Sequence, residues 1–177
     1  MSSRRLFAVV GALAVAFGAE LAAQAITEAE ALALACPGAC WRREELELTT
    51  AQRTAVGAAA GQAAPARIVR HVATKDGAVV AIAWVDSRTV RTHGQTLLVV
   101  VDPKGTVRRV ELLAFDEPKR YRPRAEFFAA FVGRSLDDEL RLRRAIKPIA
   151  GATMSAVAAV AAVRTVLAAH AVLPVAR

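Results

Sequence analysis

At 177 residues the chain has room for one ordinary domain and a targeting segment, but not for two full cores. It is 55% apolar and 23% charged with only 5% aromatic residues, which excludes a disordered chain and predicts a core packed from small residues around Phe115, Phe127, Phe128, Phe131 and two tryptophans. A net charge of +8 suits nucleic acid, anionic lipid or an anionic cofactor, and the chain has none of the zinc-ligand spacing, aromatic RNA-binding signature or one-sided basic helix that would point to nucleic acid.

Residues 1–25 read as an export signal. Arg4 and Arg5 form the positive start, Leu6 to Ala19 an apolar run of fourteen, and Ala23-Gln24-Ala25 a small-x-small cleavage pattern before Ile26. Fourteen residues fall short of the about 20 that a membrane span needs, so cleavage is the main expectation and an uncleaved anchor the alternative. Ser3-Arg4-Arg5-Leu6-Phe7 also fits a twin-arginine signal. The chain is therefore expected to be periplasmic or otherwise extracytoplasmic. Cys36 and Cys40, in C-P-G-A-C, are either a structural disulfide or two free thiols; their spacing excludes c-type haem attachment.

Residues 26–66 read as a helical lead-in. Thr27-Glu28-Ala29-Glu30 is a capping box opening a helix that ends at Pro37-Gly38, and a second helix is expected over 50–60. The stretch 67–177 forms the main domain. Ile68 to Thr74 and Ala78 to Val85 are strands joined by the Lys75-Asp76-Gly77 hairpin turn, Thr96 to Val101 is a buried strand, and Val107 to Phe115 returns after Asp102-Pro103-Lys104-Gly105. A helix over 124–132 carries Phe127, Phe128 and Phe131 on one face, and a final helix runs from about Met154 to His170. The fold class is α+β: an antiparallel sheet of at least four strands with helices packed on one side.

The most informative segment is Ala150-Gly151-Ala152-Thr153-Met154-Ser155, where a loop enters the last helix. A helix start presents unpaired N–H groups and the positive end of the dipole, which suit an anion. Gly151 allows close backbone approach, and the hydroxyls of Thr153 and Ser155 can donate to a phosphate or be esterified by one. The plainer alternative is that Thr153 or Ser155 simply caps the helix. Two basic stretches precede the segment, Lys119 to Arg124 and Arg141 to Lys147, and these would raise the local potential or form a solvated rim.

Residues 67–170 resemble the FMN-binding domain of the periplasmic flavin subunits of Rnf-type complexes and of the sodium-pumping NADH:quinone oxidoreductase, and of stand-alone exported flavoproteins. The resemblance rests on Gly151-Ala152-Thr153 followed by Ser155 and an Ala/Val-rich helix, on Asp102-Pro103-Lys104-Gly105-Thr106-Val107, and on Phe115-Asp116-Glu117-Pro118. Two positions depart from the covalent members: Lys147 stands where Asp is usual, and Ala150 replaces a Ser or Thr. The resemblance implies FMN as cofactor, joined by a phosphoester to Thr153 by a flavin transferase. Gly151 and Ala152 would admit the phosphate, the amides of Met154 and Ser155 would bind it, and Glu117 would bond the ribityl chain or ring. Arg120, Arg122 and Arg124 would supply positive charge near the ring. The implied role is an electron-transfer carrier or subunit, rather than a stand-alone enzyme, working with membrane or periplasmic redox proteins. The alternative is a flavin-free periplasmic adaptor of the same fold. His71, His93 and His170 are scattered, and no nucleophile–base pair or carboxylate pair stands out.

Overall fold

The computed structural model describes residues 26–175. The export signal expected at 1–25 lies outside the described residues. The elements run α1 (Glu28–Ala35), β1 (Cys40–Glu47), α2 (Thr50–Ala60), β2 (Arg67–Lys75), β3 (Ala78–Val90), β4 (His93–Val101), β5 (Val107–Phe115), a 3-10 turn (Lys119–Tyr121), α3 (Ala125–Ala129) and α4 (Thr153–Val172). The five strands form one antiparallel sheet in the order β1-β2-β3-β4-β5. The α+β class is thus observed.

Both early helices start as their sequences dictate. Thr27 and Glu30 exchange reciprocal bonds, as do Thr49 and Gln52, so two orphan N-terminal donors are satisfied in each helix. Gly61 closes α2 in the left-handed conformation at φ 75°. Asp76 and Gly77 both take positive φ, 52° and 77°, the backbone twist that suits a two-residue hairpin between β2 and β3.

The expected helical lead-in contains a strand as well. β1, Cys-Trp-Arg-Arg-Glu-Glu-Leu-Glu, pairs along its whole length with β2, from Cys40 opposite Thr74 to Glu47 opposite Arg67. Its charges find partners across the ladder, Arg67 reaching Glu47 at 2.6 Å and Glu45 at 3.0 Å. A charged edge strand of this kind also discourages pairing with a second chain. The helix expected over 124–132 is shorter, ending after Ala129.

Helices cover both faces of the sheet, not one. On one face Ile82, Trp84, Leu97, Val99 and Val101 pack beneath α2, α3 and α4. On the other, Ala73, Ala81, Ala83, Leu98 and Val100 meet Ala31 and Leu32 of α1. Period-two alternation thus sends large residues one way and mostly small ones the other, and only the short α1 fits over the alanines.

α4 is apolar nearly all round, as a helix enclosed between a sheet and other elements must be. Arg164, only 6% exposed, is accommodated because its guanidinium donates to the carbonyls of Ala60 at 3.0 Å and Asp137 at 2.6 Å. Gln62 reaches across from the end of α2 to Ala161 O and to Thr165 Oγ1 at 2.6 Å. These contacts fix where α4 begins relative to the sheet.

Candidate functional site

The loop before α4 closes by a bond from Ala152 N to Ile149 O at 3.2 Å. Within it Gly151 takes φ 77°, a region that costs glycine little. A Cβ built there would meet nothing within 4 Å, so backbone conformation rather than space selects the glycine. Ala152 is the N-cap, and no side chain caps the helix. Ala156 N donates to Ala152 O at 3.1 Å, which leaves the N–H groups of Thr153, Met154 and Ser155 without intrahelical acceptors. The helix therefore starts without the Thr153 or Ser155 cap that its sequence offered.

Thr153 and Met154 are exposed at the first turn, whereas Ser155 is buried at 1% exposure. Ser155 Oγ donates to Glu117 Oε2 at 3.3 Å. Glu117 is held there because Asp116 N donates to Gly94 O at 3.0 Å, tying the exit of β5 to the start of β4. Gly151, Ala152, Thr153, Met154, Ser155 and Glu117 therefore share one corner of the fold, although Glu117 is distant from the others in sequence.

Gln95 belongs to the same end of the sheet and is not among the residues singled out by sequence. It lies opposite Phe115 in the β4–β5 register and on the same face as Leu97 and Val99, which pack beneath α4. It is 1% exposed, and neither its amide oxygen nor its amide nitrogen has a partner. A buried amide with no partner is costly. The sequence signal was present: a glutamine two residues ahead of the apolar run Leu97 to Val101.

Of the two expectations for the basic stretches, the solvated rim describes their surroundings. Arg144 pairs with Glu139 at 3.0 Å and Arg141 with Asp138 at 3.5 Å, so much of the 141–147 charge is balanced locally. Arg120 stacks over Tyr121 with its guanidinium carbon 4.7 Å from the ring centroid. Arg122 and Arg124 line a separate groove of ≈ 600 Å³ with Lys119 and Phe128, and none of residues 151–155 lines it. A role for these arginines beside a ring held at Thr153 has no support in their position.

The histidines have structural surroundings. His71 Nε2 lies 2.9 Å from Glu28 Oε1, and the His170 ring meets Trp84 edge-on at 6.3 Å. Burial holds both imidazoles below their ordinary range, with Glu28 opposing this for His71 and the Pro103 carbonyl for His170. His93 is exposed and bonded to Thr92. Cys36 and Cys40 are free thiols at the two sides of the Pro-Gly turn.

The corner fits a phosphate carried on a larger polar molecule. Uncapped N–H groups and an accessible hydroxyl suit the phosphate, and the Ser155–Glu117 pair offers a hydrogen bond to a polar group beyond it. No protein-family model, no curated protein and no solved structure matches this chain.

Proposed function

We propose that this chain is an exported FMN carrier that relays electrons in or near a membrane redox complex. The observation that carries the reading is the start of α4, where Thr153 stands exposed at an uncapped helix N-terminus beside the Ser155–Glu117 contact. The resemblance of Gly151-Ala152-Thr153 to a flavin attachment motif supports it independently of the geometry.

Bound FMN supplies the one- and two-electron chemistry. The chain's residues would hold it. Thr153 Oγ1 is the oxygen that would carry the phosphoester: a flavin transferase would move the flavin phosphate onto it from a flavin dinucleotide, breaking the diphosphate bond, with the nucleoside monophosphate leaving and the hydroxyl proton lost to solvent. The amides of Met154 and Ser155 would bind the same anion, and Gly151 supplies the positive-φ turn that leads through Ala152 into the helix. Ser155 fixes one oxygen of Glu117, which leaves the second to accept from a ligand hydroxyl or N–H.

The test is the intact mass of protein exported from a host that supplies the flavin transferase, wild type beside Thr153→Ala. The reading expects a gain of one esterified FMN that is absent from the variant. An unmodified, colourless wild type that also fails to bind added FMN would favour the flavin-free adaptor, for which the departures at Lys147 and Ala150 speak.

A further inference from the structure

The groove lined by Lys119, Arg122 and Arg124 runs across the β5 edge and carries a second observation independent of any cofactor. Its lining also includes Ile26, the first described residue, together with Leu112 and Phe128. Lys119 and Arg124 are exposed, Arg122 is half-exposed, and Arg120 is exposed on the adjoining turn. Glu126 and Glu111 also line the groove, but Glu111 is taken up by Arg109 at 2.5 Å. The groove therefore keeps a net positive rim above an apolar floor.

The chain reaches this groove from its apolar N-terminal run. Only six residues separate Ala19, the end of that run, from Ile26, and the seven chain steps between the two span at most about 25 Å when fully extended. In the uncleaved form, where that run serves as the anchor, the basic rim is held within reach of the lipid headgroups. Attraction between the rim and an anionic surface acts over a Debye length of about 8 Å at physiological salt, so tethering this groove and not another face is what makes its charge effective. The geometry points to the Lys119–Arg124 groove as a docking surface for an anionic phospholipid bilayer, seated beside the point where residues 1–25 leave the domain.

Four lysines make this directly readable: Lys75, Lys104, Lys119 and Lys147. Lys75 and Lys104 sit at the β2–β3 and β4–β5 turns, the end of the sheet opposite the exit of β5, and serve as internal references. The full chain is reconstituted in vesicles of phosphatidylcholine alone, or of phosphatidylcholine with an equal share of phosphatidylglycerol. Lysine acetylation rates are then read by mass spectrometry. Lys119 should be shielded roughly fivefold on the anionic vesicles alone, the scale of one basic residue near such a surface. Lys75 and Lys104 should be unchanged. High salt, or the Arg122→Glu/Arg124→Glu variant, should abolish the shielding. Equal shielding on neutral vesicles would overturn the inference and implicate residues 1–25 as the occupant. An unshielded Lys119 on both lipids, or shielding that survives the double charge reversal, would overturn it as well.

Discussion

Ser155 Oγ, in the first turn of α4, donates to Glu117 Oε2 at 3.3 Å, joining the start of the last helix to the chain just past β5. Serine in a helix start usually serves as its cap. Here it is turned inward at 1% exposure and binds a carboxylate from another segment, while Ala152 takes the cap position. That exchange leaves the helix N-terminus open and sets Thr153 beside the opening.

Ser155→Ala should therefore lower stability by about 1 kcal/mol, the net worth of a bond of this kind, with a further small contribution from leaving Glu117 half-buried without its donor. Urea unfolding of the variant beside wild type measures it. The elongated 3.3 Å contact sets the expectation below the range for well-formed bonds to charged groups. Unchanged stability would mean that the contact contributes nothing to positioning α4.

Arg70 is the strongest polar anchor of the C-terminal segment. It is 4% exposed, donates to Glu44 at 2.6 Å and to the carbonyls of Leu173 and Pro174 at 3.1 Å each, and lies 5.4 Å from the Trp84 ring centroid. Arg70→Ala should cost about 2–3 kcal/mol, because it leaves the carbonyls of Leu173 and Pro174 without their donor and takes one of two cationic partners from Glu44, which keeps Arg42. Burial pushes the Glu44 carboxyl up, but Arg70 and Arg42 together outweigh burial and hold it below its ordinary value. A carboxyl with a lowered folded-state pKa contributes stability above its unfolded value of 4.5, lost as pH falls below that through the folded value. Denaturant midpoints should therefore fall on acidification below pH 4.5 in the wild type and fall less in Glu44→Gln.

The buried histidines act one range higher. Burial lowers the pKa of His71 and His170, so between 6.5 and the lower folded values the unfolded chain binds more protons than the native one. Their contribution is complete above pH 6.5 and is lost as pH falls from there through the folded-state values. Thermal midpoints should decline on acidification from neutral pH, and His170→Phe, which keeps an aromatic edge against Trp84, should flatten part of that decline. An equally steep profile in the variant would assign the titration to His71 alone.

Much of the fold was legible where local chemistry decides structure. The two reciprocal caps, Thr27–Glu30 and Thr49–Gln52, start helices through contacts three residues apart. Asp76-Gly77 turns the chain because its backbone demands positive φ, and the apolar runs of β2 to β5 leave no choice but burial. β1 was not legible. Its Arg and Glu residues carry no clear two-residue alternation of apolar positions, and its strand state depends on charges supplied by Arg67 and Arg70 of β2.

Residues 150–155 could be singled out from sequence as a loop running into a helix, since glycine and hydroxyl residues there have local meanings. Which of Ala152, Thr153 and Ser155 caps the helix was decided by the Glu117 carboxylate, which draws Ser155 inward from 38 residues away. The burial of Gln95 and the meeting of Ile26 with Lys119, Arg122 and Arg124 are likewise products of strand register and helix placement. Caps and turns are set by bonds a few residues long and can be read along the chain. Long-range partners depend on how the sheet brings distant segments to one corner, and only the packed structure determines that.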